Sequence, residues 1–496
     1  MTERRVIFRV DGNSQVGLGH VIRCLALADM LAPHFQCEFI VLAPGEELQR
    51  QVLQAGHTLM AVEEPDGYDD LSEAHWLWHQ ADRLDLVVLD GYQFDTTYQQ
   101  AVSCWHFGLV CLDDLITAPV WADLVLNQAG GVTSDAYAAA PGATLCLGPA
   151  YALLRPAFQA RAGRQTEARP WTGRLFLNMG GADPGNETQT ILGQLLAEFP
   201  GHEIAVVTGA AYPHQVALAA FATAFPMVQL HHNLSAEQLS QLLLSCSIMV
   251  CPPSGMAYEC CAVGGLLLLH QTANNQQAMY DFLLDQDLAM PLFDIYAHDR
   301  DVAHLQTLAA ELRERQQQLF DGQAAPRLLA AFEDLHQTAR LTIRHATPAD
   351  CTQYFEWAND PNVRQNAIQT TPIAWPTHEA WFGRRLADAD SYLYVIESEG
   401  QSVGQVRIEF DGVVGTIDYS VATEWRGSGL GRRLLQRAIH QLRHERPALW
   451  TLRGQVKATN HASRRVFERL HFSPQTPVLH GGQRYEVFEL AVNSGL

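Results

Sequence analysis

The sequence predicts an α/β protein: two doubly wound parallel sheets in tandem, then a smaller α+β unit. Three observations carry the prediction. Short, uniformly apolar runs alternate with amphipathic segments through the first third of the chain, the pattern of βαβ units buried on both faces. The same alternation restarts after a polar, proline-flanked break between Pro149 and Pro170. Past Arg340 it gives way to closely spaced strands of an antiparallel kind. A chain of 496 residues also exceeds what one core organises, so three domains are expected, at residues 1–160, 161–338 and 339–496.

In the first unit Val6–Val10, Cys37–Val41, Leu86–Leu89, Leu109–Leu112 and Leu124–Leu126 read as buried strands, with helices such as Val21–Leu31 and Glu46–Ala55 between them. In the second, Leu175–Asn178, Glu203–Val207, Val228–Leu230, Ile248–Cys251 and Leu266–Leu269 repeat the rhythm. Such a tandem encloses a cleft, and open parallel sheets take ligands beyond the carboxyl ends of their strands. After the helical stretch Pro326–Leu335, the third unit opens with the strand Leu341–His345 and passes through two helical segments. Strands follow at Leu393–Glu397, Ser402–Glu409 and Thr416–Val421. A helix, the strand Leu452–Val456, another helix and one final strand complete the unit.

A formal charge of −21 argues against a nucleic-acid or membrane-surface protein, because an acidic surface repels both. Small anionic ligands are still open to it, since local backbone amides hold them. No apolar run approaches the roughly 20 residues of a membrane span, and the first residues lack a signal-peptide pattern. A soluble, cytoplasmic protein is expected. The ten cysteines show no C-x-x-C spacing, and Cys260-Cys261 falls in a helical pattern, where small buried apolar residues belong. His378-Glu379 and His444-Glu445 lack the second histidine of a zinc helix. Asp285-Gln286-Asp287, Asp299-Arg300-Asp301 and Asp388-Ala389-Asp390 do not follow parallel strands. No metal site is expected.

The first strand leads through Asp11-Gly12-Asn13-Ser14-Gln15-Val16-Gly17-Leu18-Gly19-His20 into a helix. Gly17 and Gly19 let the backbone turn tightly towards a ligand, and the helix start favours negative charge. His20 brings an imidazole suited to accept a proton near neutral pH. Asn178-Met179-Gly180-Gly181-Ala182-Asp183 makes a comparable strand-to-helix turn in the second unit. Ser254-Gly255 would open a helix whose amides suit a diphosphate, with Glu259 one turn on, placed for ribose hydroxyls. Asn275 and Gln276 add amides for a sugar. For any one of these second-unit features alone, a helix cap is the better reading.

Together with Arg9-Val10-Asp11, Asp90-Gly91-Tyr92, Asp113-Asp114-Leu115 and the stretch from Gly148 to Pro156, these motifs resemble the GT-B nucleotide-sugar enzymes. The resemblance is closer to the UDP-2,4-diacetamido-2,4,6-trideoxy-β-L-altropyranose hydrolases of pseudaminic acid biosynthesis, and it runs from Met1 to about Leu335. Gly12-Asn13 stands where Ala-Ser is usual. The resemblance implies two Rossmann-like domains in a GT-B arrangement and an inverting, metal-independent hydrolysis. Water attacks the anomeric carbon, UDP leaves and His20 is the base, while Asp11 and Tyr92 orient His20, water or substrate. Gly17, Gly19, Gly180, Gly181, Ser254, Gly255, Glu259, Asn275 and Gln276 hold the substrate.

In the third unit the strand Thr416–Val421 leads to Arg426-Gly427-Ser428-Gly429-Leu430-Gly431 and a basic helix, Arg432–Leu442. An R-x-x-G-x-G loop at a helix start is an anion nest. With Asn460-His461-Ala462-Ser463, Phe467 and Leu470-His471-Phe472, it resembles the GNAT acetyltransferases over residues 341–496. The resemblance implies that Val421, Arg426, Gly427, Gly429, Gly431, Asn460 and Ser463 bind the cosubstrate acetyl-CoA. Where Phe467 stands, many members carry a tyrosine that protonates the leaving thiolate. Either Tyr419 or another hydroxyl substitutes, or the thiolate leaves unaided. Ala358–Arg364 and His378–Phe382 resemble the branch that acetylates amino sugars and N-termini. That branch includes N-acetyltransferases for the 4-amine of UDP-4-amino-4,6-dideoxy-N-acetyl-β-L-altrosamine, whose product the hydrolase consumes.

The expectation is a bifunctional pseudaminic acid enzyme whose partners are a UDP-linked amino sugar, UDP and acetyl-CoA or CoA. The alternatives are a legionaminic-type nucleotide sugar, a hydrolase carrying a non-catalytic acyl-CoA sensor, and a glycosyltransferase.

Overall fold

The computed structural model describes residues 4–12, 19–62, 70–82, 84–105, 108–164, 170–296, 301–447 and 449–492. Gly17 and the side chain of Asn275 lie outside the described residues. Strands β1 (Arg5–Val10), β2 (Gln36–Leu42), β3 (Thr58–Val62), β4 (Leu86–Asp90), β5 (Leu109–Leu112), β6 (Leu124–Asn127) and β7 (Thr144–Leu147) form the first sheet. It is parallel, in the order β3-β2-β1-β4-β5-β6-β7. Val6, Phe8 and Val10 enter one core layer and Ile7 the other. Side chains alternate across a strand, so burial on both faces favours a near-continuous apolar run, and the charged residue inside β1, Arg9, is paired with Asp11 and Glu73.

The second sheet comprises β8 (Leu175–Leu177), β9 (Ile204–Thr208), β10 (Val228–His232), β11 (Ile248–Cys251), β12 (Leu266–Leu269) and β13 (Met290–Pro291). It too is parallel, ordered β10-β9-β8-β11-β12-β13. Both orders are of the doubly wound type, with a reversal beside the first strand. The helix Ala324–Ala339 follows the second unit in the chain, yet Leu328, Phe332, Leu335 and Ala339 join the core of the first. Cys260 and Cys261 are fully buried in the helix Gly255–Val263. No helix among the described residues is long and apolar enough to cross a membrane.

The third sheet has the order β14-β15-β16-β17-β18-β20-β19. Its strands are β14 (Thr342–His345), β15 (Ser391–Ser398), β16 (Gln401–Asp411), β17 (Val414–Val421), β18 (Trp450–Lys457), β19 (Ser473–His480) and β20 (Gln483–Val492). The single final strand expected from the sequence is a hairpin, turned by Gly481-Gly482. All pairings are antiparallel except β17 with β18, which are parallel and joined only over Val414–Ile417 and Thr451–Gly454. Beyond that point the two strands part.

The helix Leu430–Glu445 packs Leu434, Leu435, Ala438, Ile439 and Leu442 into this sheet's core. Its polar face meets the first unit rather than solvent. Arg443 donates to Asp123 (3.3 Å) and stacks over Trp121, with its guanidinium carbon 5.0 Å from the ring centre. Gln436 donates to the Gly142 carbonyl (3.1 Å), and Arg432 and Arg433 both pair with Asp334.

Candidate active sites

The first sheet reverses its order between β1 and β4, and a parallel sheet leaves a crevice at such a point. His20 stands there, second residue of the helix Gly19–Leu31 and 9% exposed. It lines a pocket of about 140 Å³ with Arg23, Tyr92, Asp113 and Asp114. Its Nδ1 lies 2.6 Å from Oδ1 of Asp90, the last residue of β4. Arg23, one turn along the helix, grips the same carboxylate through Nε (2.7 Å) and Nη2 (2.5 Å), and reaches Asp114 through Nη1 (2.8 Å). Burial works against the charge on Asp90, which is fully buried. Arg23 first and His20 second outweigh that penalty, so the carboxyl titrates below the ordinary carboxylate range.

Tyr92 meets His20 edge-on, with ring centres 5.0 Å apart, and its hydroxyl lies 3.4 Å from Asp114. Asp11 is differently committed. Its carboxylate accepts from Arg9 (2.5 Å), the Leu42 amide (2.9 Å) and Gln93 (2.8 Å), tying the ends of β1 and β2 together. Asp90 was visible in the sequence as a strand-end carboxylate before Gly91, but its partners on a distant helix were not.

The second sheet reverses between β8 and β11, and both expected loops leave from that point. The Gly180 amide bonds back to Asn178 Oδ1 (3.1 Å), and among the described residues, chain neighbours aside, no atom lies within 4 Å of where a Cβ on Gly180 or Gly181 would stand. That backbone is open to a ligand. Ser254 caps the helix Gly255–Val263, accepting from the Met256 amide (3.3 Å). Glu259 is 7% exposed and is held by Arg155 through two hydrogen bonds of 2.6 and 2.7 Å. Arg155 belongs to the segment between the two units, so this carboxylate fastens that joint. The neighbouring Tyr258 accepts from the Gly130 amide and donates to the Gln128 carbonyl of the first unit, both at 3.1 Å. Gln276 turns its Oε1 back to the Thr272 (2.9 Å) and Ala273 (3.3 Å) amides of its own turn.

In the third unit the glycine loop follows the end of β17 that lies beyond its pairing with β18, at the mouth where the two strands part. Gly427 (φ +82°) and Gly429 (φ +79°) adopt a left-handed backbone, and among the described residues nothing beyond the chain neighbours lies within 4 Å of either missing Cβ. Gly429 caps the helix Leu430–Glu445. At Gly431 a Cβ would come within 3.2 Å of the Tyr419 ring, so the helix start and β17 touch closely. Arg426 donates from Nε to the Val421 carbonyl (3.0 Å) and pairs through Nη2 with Asp360 (3.0 Å). Its Nη1 is buried with no partner among the described residues. An open amide cradle beside an orphaned guanidinium nitrogen fits a pyrophosphate.

Asn460 caps the helix His461–Arg469 by accepting from the Ser463 amide (3.2 Å), and the Ser463 hydroxyl is 2.8 Å from that of Tyr419. Burial pushes the Tyr419 phenol up to about 12, although Ser463 opposes the shift. Phe467 is core: it stacks on Phe488 and sits edge-on to Phe472. On the opposite sheet face, Gln405 of β16 is 7% exposed with its Oε1 unpartnered among the described residues, and Asp418 of β17 lies 3.6 Å from Arg407. Sequence reasoning missed this patch, because alternate polar residues along a strand read as solvent-facing.

Residues 340–473 match the acetyltransferase (GNAT) domain model. The chain is 21% identical over 426 residues to an uncharacterized protein of Methanocaldococcus jannaschii, covering 82% of this chain and 83% of that one. Among solved structures it is similar to spermidine N-acetyltransferase from Vibrio cholerae in complex with CoA and spermine, at 17% identity and a TM-score of 0.29. That likeness covers 31% of this chain and 96% of the other. Ribosomal-protein-alanine N-acetyltransferase from Brucella melitensis is similar at 23% identity and a TM-score of 0.27, over 30% and 99% of the two chains. The C-terminal unit is a GNAT acetyltransferase domain, joined to two parallel-sheet α/β units.

Proposed function

We propose that the chain is a bifunctional enzyme acting on a UDP-linked amino sugar. The C-terminal domain acetylates an amine with acetyl-CoA, and the two parallel-sheet units, in a GT-B arrangement, hydrolyse the acetylated nucleotide sugar. The acetyltransferase half rests on the left-handed glycine loop at the mouth between β17 and β18. Acetyl-CoA supplies the activated acetyl group. The amides of Gly427 to Gly431 and the free nitrogen of Arg426 hold its pyrophosphate, and the unpaired edge of β17 up to Val421 receives the rest. The acceptor nitrogen attacks the thioester carbonyl, the carbon–sulfur bond breaks, and Tyr419, still protonated at neutral pH, gives its proton to the thiolate. Asp418 is the carboxylate placed to take the proton that the amine loses.

The hydrolase half is supported by His20 in the crevice beside β4. Water attacks the anomeric carbon with inversion, its proton passes to His20, and UDP leaves as an anion with no metal required. The Ser254–Gly255 helix start takes the diphosphate, and Glu259, oriented by Arg155, keeps lone pairs for ribose hydroxyls. The acceptor we assign is the 4-amine of UDP-4-amino-4,6-dideoxy-N-acetyl-β-L-altrosamine, on the pseudaminic acid route. Mass spectrometry of the products formed from that compound and acetyl-CoA tests both halves. A diacetamido free sugar plus UDP is expected. Acetylation without UDP release would remove the hydrolase, and no acetylation would remove the acceptor.

A further inference from the structure

We propose that Asp90 is the positioning residue of the first unit's site, holding the proton of His20 on Nδ1 so that Nε2 is the bare, proton-accepting nitrogen. The inference rests on the hydrolase reading for its consequence in rate, but not for its geometry. Asp90 is fully buried at the end of β4, and four groups converge on its carboxylate. Oδ1 faces His20 Nδ1 at 2.6 Å and Arg23 Nη2 at 2.5 Å, while Oδ2 faces Arg23 Nε at 2.7 Å and the Cys24 thiol at 3.3 Å.

Two bare acceptors repel at 2.6 Å, so the imidazole must present N–H on that side, because the carboxylate has no proton to offer. Arg23 Nη2 also lies 3.1 Å from His20 Nδ1. Both nitrogens are donors aimed at the same Oδ1, so that distance is a contact between neighbours rather than a hydrogen bond. A neutral imidazole carries one proton, and with Nδ1 occupied, Nε2 is free. Burying the Asp90–Arg23 pair would need only the two guanidinium bonds. The short third bond to His20 goes beyond that need.

A ring with one nitrogen tied to a buried carboxylate is also fixed in orientation, which is what a general base requires. The proton taken from water onto Nε2 makes an imidazolium, and Asp90 stabilises it without itself becoming protonated. Arg23 keeps that carboxylate ionised, and Asp114 in turn balances Arg23 at 2.8 Å.

The tautomer is read directly from ¹⁵N chemical shifts and long-range ¹⁵N–¹H couplings of histidine-labelled full-length protein, without substrate. The His20 signals are those lost in His20→Asn. Expected are a protonated Nδ1 and an unprotonated Nε2, and the reverse tautomer would overturn the proposal. In Asp90→Asn the amide can offer N–H to Nδ1 and so move the ring proton to Nε2. The turnover number for UDP release should then fall about 10²- to 10⁴-fold with KM little changed. Thermal unfolding of the full-length variant matching that of wild type shows that the first unit is folded. Turnover within about threefold of wild type, in a folded Asp90→Asn protein, contradicts the role. Should that variant not fold, the wild-type tautomer decides. If wild-type protein releases no UDP, the hydrolase reading falls, and the tautomer, measured without substrate, still decides whether Asp90 orders the ring.

Discussion

At His20 a single ring nitrogen is left for chemistry, because the other lies 2.6 Å from a buried carboxylate. His20→Asn is therefore expected to slow UDP release by about 10²- to 10⁴-fold, the usual contribution of a general base, with acetyl transfer unchanged. Assaying both reactions on one preparation checks this, and loss of both would point to misfolding rather than chemistry. Tyr419 invites a parallel test. Its phenol, pushed up to about 12, is protonated throughout the neutral range and bonded to Ser463. Tyr419→Phe should lower the turnover number for acetylation while leaving KM for acetyl-CoA nearly constant, since a thiolate forms only as the thioester breaks. An unchanged rate would mean that the thiolate departs unaided. Residue identities at these positions were legible in the sequence, but their partners were not. Asp90 and Arg23 are 67 positions apart, and Glu259 finds Arg155 across 104. Neither spacing leaves a local signal.

Elements were legible where both faces of a strand are buried. β11 shows as an unbroken apolar run and β1 as one interrupted only by Arg9, whose buried charge is paired with Glu73 and Asp11, because each face enters a core layer. β3 and β19 escaped notice as edge strands: β3 is half-exposed, and β19 carries Pro474 and Pro477 on a largely exposed surface. β13 spans only Met290–Pro291, too short for any periodicity. The glycine loop was legible as a motif, and the structure adds the backbone sign that motif letters cannot carry. Gly429 has φ +79° at the cap of the helix Leu430–Glu445. A β-branched side chain resists that region and would stand over the amides of the nest. Gly429→Val is expected to abolish measurable CoA binding by calorimetry while UDP release from a ready-made diacetamido sugar persists. Undiminished CoA affinity in the folded variant would place the pyrophosphate elsewhere.

For the whole molecule, the helix that begins at the CoA loop also carries the contact with the first unit. Amphipathic patterning correctly marks its apolar face as core, but says nothing of what covers the polar one. Solvent is the default reading of such a face. In fact Gln436 and Arg443 are each 5% exposed, because strand ends and carbonyls of the first unit supply their partners. Asp123 is the centre of this joint. Its Oδ2 accepts from the Gly108 (2.8 Å) and Leu109 (3.1 Å) amides, and its Oδ1 accepts from Arg443. The two ends of that ion pair should therefore respond unequally to removal. Arg443→Met keeps apolar packing over Trp121 and leaves Asp123 bonded to two amides, so little charge is stranded. Asp123→Ala removes the carboxylate from beside a buried guanidinium and takes the acceptor from both amides. Removing one partner of a buried pair costs about 3–5 kcal/mol, and the orphaned amides add about 1–3 kcal/mol each before relaxation. Thermal unfolding of the full-length chain should show a large downward shift for Asp123→Ala and a much smaller one for Arg443→Met. Equal, small shifts would mean that the acetyltransferase domain touches the first unit without depending on it.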